Sequence, residues 1–103
     1  MQSVEQEIQS KGLTAPRVTP DRIQDVIVSV EYHVFPNTTV TVCLLTLANG
    51  YSVIGESACA DRANFDKELG ERIAKENASQ KIWALEGYLL RQNLCDNEPW
   101  SGY

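Results

Sequence analysis

The apolar positions between residues 19 and 35 follow a helical spacing first and then alternate. Thr19-Pro20-Asp21 is a typical helix start, because threonine caps, proline fits the first turn and aspartate suits the positive end of the helix dipole. The next apolar residues lie at i, i+3, i+4 and i+7, namely Ile23, Val26, Ile27 and Val30. Val28, Val30, Tyr32 and Val34 also alternate as in a strand. We predict a helix from residue 19 to about residue 31, then extended chain over 31–35 up to Pro36-Asn37.

Two β-rich runs, residues 39–47 and 51–59, flank Asn49-Gly50. This arrangement is a strong hairpin signal, because both residues of a two-residue turn need positive φ. In the predicted register Ala48 faces Tyr51, Leu45 faces Ile54, Leu44 faces Gly55, Cys43 faces Glu56 and Cys59 faces Val40. No cross-strand disulfide is expected from it. Both faces of the first strand are apolar, which indicates a covered or central strand.

Asp61 opens a C-terminal helical region with two apolar stripes. The first stripe contains Phe65, Leu69 and Ile73, and the second contains Ala78, Ile82, Leu85 and Leu89. The stripes do not coincide at 100° per residue, and Trp83, Leu90 and Leu94 return to the first side. Either the helix breaks near residues 77–79 or it is buried on both sides, one of them against a second subunit. Gly70, Ala74 and Ala78 form a ridge of small residues that permits close backbone approach.

The elements together predict an α+β fold: an N-terminal helix, an antiparallel hairpin that segment 31–35 can extend, and one or two C-terminal helices packed on the sheet. A single domain is expected over residues 19–94. Residues 1–18 form a flexible or short-helical extension, in which Ser3 caps a helix that Gly12 ends. Residues 95–103 are expected to be a flexible tail. Because a lone hairpin is marginal in water, helices or a partner's strand must complete the core, which favours a homodimer.

Composition adds little to the fold and more to the choice of partners. The 103 residues are 43% hydrophobic and 22% charged, as in an ordinary globular domain. Asp and Glu number 14 against 9 Lys and Arg, which gives a net charge of -5. This balance opposes binding to nucleic-acid backbones. A comparison with the double-stranded-RNA-binding fold fails for the same reason, because the start of the last helix would carry Asp61, Asp66, Glu68 and Glu71.

The spacing of the cysteines and the single histidine exclude a common type of metal site. The apolar runs indicate the cellular compartment. Cys43, Cys59 and Cys95 show no Cys-x-x-Cys spacing, and one histidine is too few for a usual zinc site. No signal peptide is expected, and the longest near-apolar run, residues 40–48, is about half a membrane helix. We expect a soluble cytoplasmic protein without a cofactor or metal.

Catalytic chemistry has weak support in the sequence. His33 could serve a nucleophile such as Cys43 or Cys59, but no nucleophile elbow or glycine-rich oxyanion loop accompanies it. Glu56, Asp61, Asp66 and Glu68 could gather around a cation, but their spacing matches no EF-hand, and helix capping explains the aspartates better. The prediction is a protein that is not an enzyme.

Charged and aromatic residues late in the chain are the candidates for binding: Lys81, Trp83, Glu86, Tyr88 and Arg91. Trp, Tyr and Arg are enriched at binding hot spots, and their planar groups can stack on a nucleobase. For Trp83, packing against the hairpin is the favoured reading. Glu68 and Glu71 form a second candidate surface, which would steer a basic partner.

Several blocks of the sequence resemble one family of phage proteins. They are the Asn-Gly hairpin with GESAC (55–59), the KIW-x-LEGYLL block (81–90) and the Thr19-Pro20 helix start. Over about residues 19–94 the chain resembles a family of small tailed-phage proteins named for gene product 49 of one enterobacterial podovirus and gene 66 of another. The resemblance implies a phage-encoded protein in the host cytoplasm, with no established enzyme activity and no catalytic residues to carry over.

The resemblance favours an accessory role during infection. The first hypothesis is a protein that binds and inhibits a host protein, such as a defence protein, with the acidic surface suiting a basic target. The second is a small-molecule binder that sequesters a nucleotide signal at a subunit interface through Arg91, Lys81, Tyr88 and Trp83. The third is a minor structural or assembly protein of the phage.

Overall fold

A three-stranded antiparallel sheet in the order β1-β2-β3 carries helices on one face. The computed structural model describes residues 3–12 and 15–98. In chain order the elements are α1 (Val4–Ser10), α2 (Pro20–Asp25), β1 (Ile27–Val34), β2 (Thr41–Leu47), β3 (Ser52–Ser57), a 3-10 turn (Arg62–Asn64) and α3 (Lys67–Asn97). The predicted α+β class is confirmed.

The predicted helix over 19–31 is wrong in its second half. Thr19 caps α2 by accepting a hydrogen bond from the Arg22 backbone N–H, with Pro20 in the first turn, but the helix ends at Asp25. Residues 27–34 form β1, which pairs with β2. The physical reason is that this segment is rich in β-branched residues, which pack well on a pleated surface, and that the ladder with β2 satisfies its backbone. The strand alternation was therefore the correct reading of this segment.

The hairpin between β2 and β3 forms with a register one residue away from the predicted one. Leu45 pairs with Val53, Leu44 with Ile54 and Cys43 with Gly55. The loop has three residues, Ala48-Asn49-Gly50, because Leu47 N–H donates to the Tyr51 carbonyl at 2.8 Å and only Gly50 adopts positive φ (89°). A slip of one residue moves every side chain to the other face, so Val53 and Gly55 face the core while Ile54 faces outward.

Cys59 lies beside Thr39 rather than Val40, since the Cys59 N–H donates to Thr39 Oγ1 at 3.2 Å. All three cysteines are free in the structure, so Cys43 and Cys59 do not form a cross-strand disulfide.

One unbroken helix, α3, follows the sheet, so the predicted alternative of a break near residues 77–79 is wrong. Asp66 caps it by accepting from the Leu69 N–H at 3.1 Å, and Asp61 caps the preceding 3-10 turn in the same way. Its buried side carries Ala74, Ala78, Ile82 and Glu86. The helix lies very close to β3 because both partners are small: a Cβ built on Gly55 would be 2.1 Å from the Ala78 backbone nitrogen.

The core lies between α2, α3 and the inner face of the sheet. Its buried residues are Ile23, Val26, Cys43, Leu45, Leu47, Val53, Ala74, Ala78 and Ile82. β2 is the central strand, as predicted, and alternates strictly between buried and half-buried positions. The other sheet face, with Val42, Leu44 and Ile54, is not packed against a helix within residues 3–12 and 15–98.

The N-terminal extension contains the predicted short helix. Ser3 and Gln6 form a reciprocal capping box at the start of α1, and Gly12 follows the helix with positive φ (69°). Arg17 forms an ion pair with Glu5. At the other end α3 continues to Asn97, and the rest of the predicted tail, residues 99–103 with Trp100 and Tyr103, lies outside the described residues.

Candidate functional site

An open groove lies where α2, α3 and the β2–β3 loop meet. Its volume is about 320 Å³. We call it the Glu86 groove, and its lining residues are Arg22, Val26, Leu47, Ala48, Asn49, Tyr51, Leu85, Glu86 and Leu89.

The length of α3 explains why the groove exists. The 31 residues of α3 correspond to about 46 Å, whereas the seven residues of β2 span about 23 Å. The N-terminal part of α3 therefore covers the sheet, and its C-terminal part extends beyond the end of β2. The short helix α2 packs beside this C-terminal part, and Leu85 and Leu89 remain 39% and 46% exposed.

A buried carboxylate forms the floor of the groove. Glu86 is only 8% exposed, and its Oε1 accepts a hydrogen bond from Arg22 Nε at 2.9 Å. The Arg22 side chain itself is about half exposed. A carboxylate this deeply buried requires a charged partner to offset its desolvation. The pair therefore fixes α2 against α3, between residues 64 positions apart in sequence.

The walls of the groove are apolar and reach the surface. Tyr51 is 57% exposed, and Leu85 and Leu89 form the opposite wall on α3. Aromatic side chains are enriched in protein interfaces, and contiguous exposed apolar surface marks interaction sites on soluble proteins. The site therefore provides apolar anchoring area with one polar contact at its base.

The predicted binding residues of the second half of α3 do not converge on one pocket. Trp83 is half-buried and packs against the hydrophobic core. Lys81 is exposed and lies two positions from Trp83, so it points to nearly the opposite side of the helix. Arg91 donates to Glu98 Oε1 at 2.6 Å. Of the predicted set only Glu86 lines the groove, and Tyr88, two positions from Glu86, is exposed on nearly the opposite side of α3.

Glu68 and Glu71 lie at the other end of α3, away from the groove. Glu68 is exposed in the first turn. Glu71 lies half-buried near Tyr32 and lines a second cavity with it. Burial, and then the charges of Cys43 and Glu71, raise the pKa of the Tyr32 hydroxyl. Glu71 therefore belongs to the contact between α3 and β1.

The sequence reading missed Arg22, Tyr51, Leu85 and Leu89 as groove residues. The spacing of Leu85 and Leu89 predicts an apolar helix stripe, and this spacing does not show that the sheet ends before them. One available signal was Glu86, a charge within an apolar stripe, which required a basic partner on a neighbouring element.

The nucleophile and base considered for catalysis are separated. His33 pairs with Val42 across β1 and β2, so its side chain lies on the open face of the sheet, whereas Cys43 is buried on the helix face. Burial raises the pKa of the Cys43 thiol. Cys59 follows β3, two strand spacings or about 9.5 Å from β1, and its Sγ donates to the Asp61 carbonyl.

Neither metal clusters nor membrane helices are found in the described part of the chain. Within residues 3–12 and 15–98 there is no group of three or more His, Cys, Asp or Glu side chains placed to hold a metal ion. No helix in these ranges is long and apolar enough to cross a membrane.

The fold is that of a small α+β protein whose antiparallel sheet is covered by helices on one face, with the Glu86 groove beside the hairpin loop. Residues 18–94 match the model of the Phage protein (N4 Gp49/phage Sf6 gene 66) family. The match spans well over half of the chain, so the chain belongs to this family and is a phage protein, which confirms the resemblance noted in the sequence. Comparisons with curated proteins and with solved structures gave no match.

Proposed function

We propose that this phage protein acts by binding a host protein in the host cytoplasm, without catalysis, and that the Glu86 groove is its docking surface. The observation that carries the proposal is the groove itself: exposed Leu85, Leu89 and Tyr51 surround a buried, paired carboxylate. Such clusters of exposed apolar side chains mark interaction sites on soluble proteins.

Charge supports a basic partner. The chain carries a net charge of -5, and α2 presents exposed Asp21 and Asp25 beside Arg22 and Val26 of the groove. Acidic groups at the rim of an apolar site speed the approach of a basic protein. The partner we propose therefore presents apolar side chains flanked by Lys or Arg. Its binding would inhibit the host protein by covering that surface.

A photo-crosslinking amino acid at position 51 tests this proposal. Tyr51 is 57% exposed and lines the groove, so the substitution leaves the core intact. We expect one host protein to be crosslinked during infection. The matched control places the same amino acid at position 54, since Ile54 is 52% exposed on the open face of the sheet.

Crosslinking of one host protein from position 51 and not from position 54 supports the proposal. Crosslinks only to other phage proteins would replace it with an assembly role, and equal crosslinking from both positions would contradict the groove as the docking surface.

A further inference from the structure

The outer edge of β1 is unpaired within the described residues. β1 is the first strand of the sheet, eight residues long, and pairs only with β2. Its sequence, IVSVEYHV, contains no proline or lysine, the residues that commonly protect an edge strand. The register shift between Ile27 and Ser29 is confined to the start of the strand, so residues 29–34 present a regular edge that can pair with another strand.

The opposite edge of the sheet is protected. β3 is shorter, with six residues, and α3 packs directly over Gly55. The Asn77 side chain also donates to the Glu56 carbonyl at 2.8 Å. The two edges therefore differ, and β1 is the one open to pairing.

The free backbone groups of β1 can be assigned from the alternation of antiparallel ladders. Phe35 N–H donates to the Val40 carbonyl, so the odd-numbered residues from 29 onward bond to β2. The even-numbered residues direct their N–H and C=O groups outward. The outer edge of β1 thus consists of the backbone groups of Val30, Tyr32 and Val34.

The side chains of β1 select a register for self-pairing. Val30 and Tyr32 pair with the core residues Leu45 and Cys43 and lie on the helix face, 36% and 40% exposed. Glu31 and His33 lie on the other face. If two copies pair antiparallel about Tyr32, Glu31 of each copy lies opposite His33 of the other. Pairing about Glu31 instead would oppose two carboxylates, which is unfavourable.

We propose that the protein forms a two-fold dimer in which the outer edge of β1 pairs antiparallel with the same edge of a second copy, with Tyr32 at the axis. The dimer has a continuous six-stranded sheet. Val30 packs against Val34 of the second copy on the helix face, and two Glu31–His33 pairs lie on the open face. A second copy fits this edge because the polar pattern is self-complementary: the Glu31 carboxylate of each copy, a hydrogen-bond acceptor, faces the His33 imidazole of the other, which carries an N–H donor, as an isologous interface requires.

Amide hydrogen exchange, combined with mass measurement in solution, tests this dimer without any substitution. We expect a particle of twice the 11.5 kDa chain mass, in which the amides of Val30, Tyr32 and Val34 are as protected as those of Glu31 and His33. A monomer at all concentrations overturns the proposal. So does a dimer in which the even-numbered amides exchange rapidly, because its interface would lie elsewhere.

A charge exchange tests the register. Glu31→Lys removes the carboxylate that faces His33 at two symmetric positions, and we expect the dimer dissociation constant to rise by about tenfold. Adding His33→Glu places a carboxylate opposite each introduced lysine and should recover most of the affinity.

The matched control is Glu56→Lys, which makes the same charge change on the same face at the other edge. It should leave the dissociation constant nearly unchanged. Equal effects of Glu31→Lys and Glu56→Lys would overturn the proposed register.

Discussion

The ion pair between Glu86 and Arg22 contributes both to the stability of the fold and to the geometry of the candidate site. Glu86 sits in the last buried position of α3, and Arg22 reaches it from the middle of α2. Removing a partner from a buried charge costs more than the pair contributes, because the remaining charge stays desolvated. The pair therefore stabilises the docking of α2, and the same side chains form the base of the groove.

Replacing Arg22 by alanine should lower the free energy of unfolding by about 1–3 kcal/mol, since Glu86 would be left buried without its partner. The double variant Arg22→Met, Glu86→Leu should recover to within about 1 kcal/mol of the parent, because two apolar groups need no pairing. Urea unfolding of both variants measures this.

The control is Lys11→Ala, which removes the exposed pair with Glu7 and should cost less than about 0.5 kcal/mol. If Arg22→Ala cost no more than Lys11→Ala, Glu86 would not depend on Arg22.

At the scale of elements, the close contact between β3 and α3 holds the layers together. Gly55 faces the ridge of Ala74 and Ala78, and a Cβ there would lie 2.2 Å from the Ala74 carbonyl oxygen and 2.1 Å from the Ala78 nitrogen. Both are backbone atoms, so relief requires moving the whole helix. The small-residue ridge predicted from the sequence thus has a specific structural partner in the strand.

Gly55→Ala should destabilise the protein by about 3 kcal/mol, because overpacking against backbone cannot be relieved by a side-chain rotation. Gly87→Ala is the matched control: it lies in α3 with open space around it and should stabilise by about 0.5–1 kcal/mol. Thermal unfolding of both variants compares them. A similar effect of the two substitutions would show that α3 does not lie this close to β3.

The elements that the sequence predicted well are those with a local physical cause. Ser3, Thr19 and Asp61 cap helical segments as expected, since a cap depends on its neighbours alone. The hairpin register and the strand β1 depend on tertiary contacts, which local sequence patterns do not show. Val30 fits a helical stripe and a strand equally well, and only pairing with Leu45 of β2 decides between them.

The candidate site was predicted only in part, for a related reason. Glu86 was singled out because charge and aromatic residues cluster near it, but the groove is made by the end of the sheet beneath α3. No local pattern reports where the sheet ends relative to a helix. Trp83 belongs to the same cluster of charged and aromatic residues in the sequence, but in the structure it packs against the core.

At the scale of the whole molecule, three surfaces differ in character. The helix face of the sheet is filled by α2 and α3, the outer edge of β1 is free to pair, and the Glu86 groove opens at the end beyond the hairpin loop. None of the β1 residues that pair in the proposed dimer lines the Glu86 groove. A two-fold dimer would then present two equivalent docking surfaces to host proteins.

The most direct test of the central claim is native mass spectrometry of the protein purified from infected cells, for the parent chain and for Leu89→Asp. Leu89 is 46% exposed on the groove wall, so a charge there should disrupt binding without unfolding the core. We predict a host protein at fixed stoichiometry on the parent chain and its loss from the variant. A parent chain that carries only a released nucleotide, or no host protein at all, would contradict protein binding through the Glu86 groove.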